Sequence, residues 1–344
     1  MRTITLALMG TLASAALAQN DLLVADRGAD AVFRFDATTG DFIDVFVQPG
    51  LSGWDPVDVQ VGPDGNVYVV NFNPGTIFRF DGQTGDFIDV FFDSDGDMEE
   101  AVAVLFQGEF GYILGNDSEN LIVFDAHTGA VLRDIRTPSL RFAHDMAFDD
   151  QGFLHAVTEN SSVGLVQVWS FLPDIVERTY APPPQGLLVG IAIQPGGDSF
   201  VSDFTNRSII RFDGSTGAFV EVVAQDDTLF NWITSMQFTS DDTILASTRQ
   251  GMHEVDINTG EIFNTLIPTG SYGGLTLGDP RGFVIRGNPC PVDIDGDGSL
   301  TIFDFLAFQN LFDAGDLQAD FDGDGDLTIF DFLEFQNQFD AGCE

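Results

Sequence analysis

The stretch "FRFDATTGDFIDVF" (Phe33 to Phe46) decides the fold, because the chain keeps returning to it. It recurs as "FRFDGQTGDFIDVF" (Phe78 to Phe91), "IVFDAHTGAVLRDI" (Ile122 to Ile135), "IRFDGSTGAFVEVV" (Ile210 to Val223) and "HEVDINTGEIFNTL" (His253 to Leu266). Each copy is an alternating strand, a D-x-x-T-G turn and a second strand. In such a turn Asp and Thr bond the local backbone, and Gly supplies the positive φ of a hairpin. The fourth unit departs from the pattern as "VQVWSFLPDIVERTY" (Val166 to Tyr180), so Ser170 to Pro173 must turn by another route.

Another pair of strands lies upstream of each hairpin, as in "PVDVQVGPDGNVYVVN" (Pro56 to Asn71) and "GIAIQPGGDSFVSD" (Gly190 to Asp203). Four strands in a period of about 42–46 residues is the signature of a propeller blade. Full units begin near Trp54, Glu100, Phe142, Gly186 and Asn231. The N-terminal unit lacks a first strand, and "GGLTLGD" (Gly273 to Asp279) offers one, so strands from both ends are expected to close a sixth blade and remove an exposed edge. "GFVIRG" (Gly282 to Gly287) is then surplus and keeps seven blades as the runner-up. The repeats "VADRGADAVFRF" (Val24 to Phe35) and "VSDFTNRSIIRF" (Val201 to Phe212) resemble NHL-type six-bladed propellers. That resemblance implies architecture rather than activity, since the superfold hosts binders, hydrolases and lyases.

The first 18 residues combine Arg2, an apolar run and a small-x-small ending before Gln19, the pattern of a secretory signal peptide. The expectation is a secreted or cell-surface protein, with a propeller over 19–287 and a small module over 288–344. No other window stays apolar for the ~20 residues of a membrane span. Net charge is −41, from 54 acidic and 13 basic residues, and every basic residue is Arg. Nucleic acid and anionic lipid are poor partners for such a chain, whereas divalent cations, basic proteins and neutral glycans suit it.

From Cys290 onward the composition changes: 14 acidic residues, no Arg and dense Phe. "DIDGDGSLTIFDFLAFQNLFDAG" (Asp293 to Gly315) returns as "DFDGDGDLTIFDFLEFQNQFDAG" (Asp320 to Gly342). Counted as calcium loops, Asp293, Asp295, Asp297, Ser299, Thr301 and Asp304 occupy positions 1, 3, 5, 7, 9 and 12, and Asp320, Asp322, Asp324, Asp326, Thr328 and Asp331 repeat them. Calcium takes six to eight hard oxygens, and carboxylates on alternate residues of a tight loop surround it. Ser299 and Asp326 would offer main-chain carbonyls, and Thr301 and Thr328 a bridging water. Two Ca²⁺ ions are expected, with Leu300 and Leu327 packing the loops together. Apolar residues at helical spacing (Phe305, Leu306, Phe312; Phe332, Leu333, Phe339) put one helix after each loop. "FFDSDGDMEE" (Phe91 to Glu100) has the acidic spacing, but Met98 and Val104 stand at positions 6 and 12, which makes it a solvated loop between blades.

Loop-then-helix units in tandem, with Asp at position 12, look like a dockerin; the ending "FDFLEFQNQFDAGC" resembles the GC-type dockerin-like domains. The resemblance implies calcium binding and docking onto a cohesin-like or other scaffold protein, often in the service of polysaccharide breakdown. The hydroxyl pair that the family uses for contact is replaced here by Ile302-Phe303 and Ile329-Phe330, which would form two equivalent docking faces. Cys290 and Cys343, the only cysteines, bracket the module and are expected to pair in an oxidising compartment, worth roughly 4 kcal/mol in the chain-entropy model.

Chemistry in the propeller is less marked. The second strands of successive blades end in Asp26, Asn71, Asn116, Glu159, Asp203 and Thr248. Either these cap the turns that follow, or they form an acidic channel mouth for a cation or substrate; turn capping is the favoured reading. His127, His144, His155 and His253 are scattered, and only His144-Asp145 in "FAHDMAF" is placed to face the channel. Tryptophan is missing after the D-x-x-T-G turns, which excludes a quinoprotein. The sequence therefore points to an all-β six-bladed propeller that binds a protein or glycan, carried by an all-α calcium-binding tail. A lactonase-like, lyase-like or polysaccharide-degrading propeller is the alternative.

Overall fold

Six four-stranded sheets follow one another along the chain, each a blade. The computed structural model describes residues 21–286 apart from 51–52, 95, 99, 150, 161–162, 171–174, 181–185, 195–196 and 241. Beyond 286 it describes 292, 294, 302–314, 319, 321 and 327–341. Blade 2 runs Pro56–Val61, Val67–Asn71, Thr76–Phe80 and Phe87–Asp93. Blade 3 runs Ala101–Gln107, Phe110–Gly115, Asn120–Asp125 and Val131–Arg136. Blade 4 runs Asp145–Phe148, Leu154–Asn160, Val163–Ser170 and Ile175–Tyr180. Blade 5 is Leu188–Ile193, Ser199–Asp203, Ser208–Phe212 and Phe219–Gln225, and blade 6 is Ser235–Ser240, Thr243–Thr248, Gly251–Asp256 and Ile262–Pro268.

Blade 1 is where the ring closes. Asp21–Asp26, Ala31–Asp36 and Phe42–Val47 take their innermost strand from the other end of the propeller, and that strand is Pro280–Arg286. This corrects the expectation that "GGLTLGD" closes the ring, and the seventh blade that "GFVIRG" kept open disappears. The reason is steric fit. Gly282 lies so close to blade 2 that a Cβ there would stand 2.1 Å from Asp58 Oδ1, and Phe283 beside it is fully buried. "GGLTLGD" instead supplies one arm of a small hairpin, Gly270–Tyr272 with Leu275–Leu277. Tyr272 and Leu275 of that hairpin pack on Phe42 and Val45, the outer strand of blade 1.

The apolar residues form one layer between each pair of neighbouring blades. Tyr68, Ile77 and Phe92 of blade 2, for example, meet Val104, Ile113 and Phe124 of blade 3, and Phe33 and Phe35 of blade 1 meet Leu245, Met252 and Ile267 of blade 6. The remaining four junctions have equivalent layers. Six layers for six blades is the packing of a closed ring, in which each sheet buries both faces.

The D-x-x-T-G turns are fastened as their sequence requires. Asp36 Oδ1 accepts the backbone N–H groups of Thr38 and Thr39 and the Thr39 hydroxyl, and Asp81, Asp125, Asp213 and Asp256 repeat the arrangement. The turn glycines have a second duty that sequence periodicity does not reveal. Gly40, Gly85, Gly129 and Gly260 have φ of 71–73° only in part because the turn needs it; each also abuts a carbonyl of the preceding blade. A Cβ on Gly40 would stand 2.0 Å from Leu266 O, and one on Gly85 2.1 Å from Phe46 O. Between the third and fourth strands every blade carries a bulge, and cross-strand pairs such as Arg79–Asp89 hold the outer strand in register.

The chain divides into two compact units: Leu22–Ile285, and Met1–Asp21 with Arg286–Glu344. In the second unit, α1 (Ile302–Ala314) and α2 (Ile329–Ala341) appear where the apolar spacing places them. Phe308 and Phe335 are its centre, stacked with centroids 4.4 Å apart, and Phe305, Phe312, Leu327, Phe332 and Phe339 pack around them. Leu306 and Leu333, grouped with this core in the sequence, are instead 46% exposed on the outer helix surfaces. The acidic stretch after blade 2 also differs from its reading as solvated loop: Met98 is fully buried against blades 2 and 3, and the Ser94 hydroxyl donates to Pro74 O and Met98 O.

Candidate functional site

The first strands of successive blades pack against one another around the ring axis. Two carboxylates tie them together. Asp58 accepts from the N–H of Val59 and from that of Val104 in the next blade, both at 2.9 Å. Asp145 does the same with Met146 and with Ile191 of blade 5. Burial pushes the Asp58 carboxyl up to about 7. It pushes Asp145 well above the usual carboxylate range too, with the charge of Asp58 adding to the effect. The expected pairing of His144 with Asp145 therefore resolves into two roles, a strand-linking carboxyl and a channel-facing imidazole.

The polar residues expected around the channel mouth do not share one register. One position near the end of each second strand is identified by its N–H, which bonds to the residue just before the blade's first strand or, in blades 4 and 6, a few residues earlier: Arg27 to Asp279 O, Phe72 to Asp55 O, Asn116 to Glu100 O, Glu159 to Arg141 O, Phe204 to Leu187 O and Arg249 to Asn231 O. It directly follows the strand in every blade but the fourth, where pairing runs on to Asn160. Asp26, Asn71, Asp203 and Thr248 precede that position, and Asn116 and Glu159 occupy it. The four in the earlier register are buried and engaged in caps. Asp26 accepts from Ala29, Gly278 and Asp279 N–H. Asn71 accepts from Asp55 N–H, Asp203 from Asn206 and Thr248 from Gln250. In blades 3 and 4 their structural counterparts are Gly115 and Thr158. Asn116 donates its Nδ2–H to Ala143 O.

One position further along lies a cavity of about 320 Å³, and its lining decides its character. Arg27, Arg249 and Arg281 face it together with Phe72, Asn116, His144, Trp232 and Thr234, over a floor of Val57, Val102 and Val189. Among the described residues no carboxylate lines it. The carboxylates stand behind: Asp55 holds Arg27 through two bonds of 2.6 and 2.7 Å, and Asp279 takes Arg249 Nε at 3.1 Å and a terminal nitrogen of Arg281 at 2.8 Å. The guanidinium carbons of Arg249 and Arg281 lie 5.0 and 5.8 Å from the Trp232 ring, and that of Arg27 lies 4.4 Å from Phe72. Trp232 is held at φ 63° and braced edge-on by Phe204. Burial lowers the basicity of Arg281, and the charges of Arg249 and Arg27 lower it further while Asp279 opposes them. Burial also brings His144 down to about 4, and among the described residues its Nε2 has no hydrogen-bond partner.

The other histidines stand apart. His155 Nε2 meets Asp149 at 3.0 Å in the blade 4 hairpin, His253 meets the Thr265 hydroxyl, and His127 lies in its turn, 3.7 Å from Glu109. Among the described residues no three metal-binding side chains converge. Sequence reasoning missed the arginines. The signal was present: blades 1 and 6, neighbours in the closed ring, each place Arg directly after the strand-ending residue, in a chain with only 13 Arg.

In the second unit, Asp304 and Asp331 are fully buried in the first turns of α1 and α2. Thr328 caps α2: its hydroxyl accepts from Phe330 N–H at 3.1 Å, and Asp331 accepts from Thr328 N–H at 2.6 Å, a capping box. Asp293, Asp295, Asp297, Ser299, Thr301, Asp320, Asp322, Asp324 and Asp326 lie outside the described residues, as do Cys290, Cys343, Leu300 and the side chains of Ile302 and Phe303. Ile329 and Phe330 are each 62% exposed, and Ile329 borders a groove lined by Phe305, Phe308, Gln309, Phe312 and Phe332.

No family model and no curated protein matches this sequence. Among solved structures, the chain is similar to one in a crystal structure of a nidogen/laminin complex, at 12% identity and a TM-score of 0.64. The match covers 77% of this chain and 97% of that one, and at this identity it speaks for the shared propeller fold.

Proposed function

We propose that the propeller is the binding part of a secreted protein and engages a protein or glycan at the arginine-lined axial mouth. The observation that carries this reading is the cavity itself, an open, cation-lined recess on a strongly acidic molecule. Four of the six polar residues expected at the mouth, Asp26, Asn71, Asp203 and Thr248, are engaged in caps. The solved relative comes from a complex of two proteins, which is consistent with a macromolecular ligand. Display of the full chain to an array of glycans and candidate proteins tests the reading: ligands retained by the native protein and lost by Trp232→Ala support docking at the mouth, and equal retention by both refutes it.

The C-terminal unit is, on the same proposal, a dockerin-like anchor that folds around two calcium ions and presents Ile302, Phe303, Ile329 and Phe330 to a cohesin-like or other scaffold protein. Buried Asp304 and Asp331 at the two helix starts, where the loop count ends, support it. Calorimetric titration of calcium into the chelated full-length protein is expected to give two ions bound, with a rise in the melting temperature of this unit. Identical melting in calcium and in chelator would exclude it.

A further inference from the structure

We propose that the axial mouth is a receptor for a single carboxylate on the ligand, gripped by Arg249 and Arg281, flanked by Arg27 and seated over Trp232. The inference rests on the mouth being the docking site and names what docks there. Three of 13 arginines, two from turns after second strands and one from the ring-closing strand, converge on a cavity that no carboxylate lines among the described residues, while the molecule as a whole carries −41. Their hydrogen bonding is incomplete. Arg249 spends only Nε on Asp279, so among the described residues its two terminal nitrogens have no acceptor. Arg281 spends one terminal nitrogen, and its buried Nε has none. His144 adds a third opening, an unpartnered, buried Nε2 on the cavity wall. Buried donors left unpaired cost stability, and three neighbouring guanidinium groups repel one another. An anion relieves both.

The planar fork of Arg matches a carboxylate with two parallel N–H bonds. Multiply charged ligands are disfavoured by the field of the whole molecule, and about 320 Å³ holds one side chain or one sugar ring rather than a nucleotide. The carboxylate has two chemical sources, a uronic acid residue or an Asp or Glu side chain of a protein partner, and probes tell them apart. The full chain is titrated at fixed ionic strength with D-galacturonate against D-galactose, and with N-acetylglutamate α-amide against N-acetylglutamine α-amide. Tryptophan fluorescence is the readout, and Trp232→Phe identifies the responding ring among Trp54, Trp169 and Trp232.

At least one acid is expected to bind about tenfold or more tighter than its neutral counterpart. Whichever pair shows the difference names the source. Arg249→Gln is expected to abolish the difference at a nearly unchanged melting temperature, because Arg249 is 43% exposed and its one ion pair, to Asp279, is partly exposed. A neutral probe that binds as well as its acid through Trp232 overturns the carboxylate and leaves the mouth as docking site. No response to any probe, or full binding by Arg249→Gln, also overturns it; if the array ligands are then retained by Trp232→Ala as well, the docking reading falls with it.

Discussion

Gly85 shows how one residue joins two levels of structure. Its φ of 73° suits the turn, and an L side chain in that region costs roughly 1–2 kcal/mol. The Phe46 carbonyl of the neighbouring blade would also stand 2.1 Å from its Cβ. Gly85→Ala is therefore expected to destabilise the propeller by about 2 kcal/mol or more in denaturant unfolding, beyond what a turn alone would lose. His144 and Asp58 set opposing pH responses. Asp58, raised to about 7 by burial, contributes stability that is complete below the ordinary carboxylate value and is lost as pH climbs toward 7. His144, lowered to about 4, contributes stability present above the ordinary imidazole value and lost as pH falls toward 4. In the native protein the His144 slope opposes those of Asp58 and of Asp145, which burial also raises, across this window. His144→Gln removes one, so thermal melts of that variant should rise from pH 6.5 to pH 4.5 by several degrees more than those of the native chain.

At the scale of elements, the hairpin Gly270–Leu277 is an insertion with a purpose. The outer strands of blades 2, 3 and 5 leave Phe87, Ile88, Val131, Leu132, Phe219 and Val220 exposed. Blade 1 carries the same "FIDVF" wording, but Tyr272 covers it, with ring centroids 5.1 Å from Phe35 and 5.6 Å from Phe42. Tyr272→Ala should cost about 2 kcal/mol, given its partial burial, and should increase binding of a hydrophobic dye. The hairpin also explains which strand closes the ring. Two candidate strands follow blade 6, and apolar content alone favours neither. Blade strands were legible because alternation and turn chemistry repeat, whereas the closing strand depends on contact with Asp58 in another blade.

Across the whole molecule, five turn aspartates act in concert. Asp36, Asp81, Asp125, Asp213 and Asp256 are all held below the ordinary carboxylate range by their turn N–H and hydroxyl donors, Asp213 to about 2. Folded values below unfolded ones mean that stability is present above about pH 4 and is lost as pH falls through the folded values. Acid unfolding is thus expected between about pH 4 and 2. The backbone bonds all fall on Oδ1, which Asn retains. A variant with all five changed to Asn should keep the turns and show a flatter melting profile over that range.

The sequence by itself determined the repeating blade, its turns, the blade number as first choice and the two tail helices, because each rests on contacts between residues close in the chain. It also placed six polar residues near the channel, but Asn116 and Glu159 stand one position out of register with the other four, since register is set by the backbone bonds to the start of the blade and not by a polar side chain. What only the tertiary structure decided was the sign of charge at the mouth. Arg27 and Arg281 lie at opposite ends of the propeller sequence, and closure of the ring brings both to one cavity with Arg249, Arg27 over Phe72 and the other two over Trp232. An acidic chain thereby acquires a cationic site, because a closed ring makes neighbours of its first and last blades.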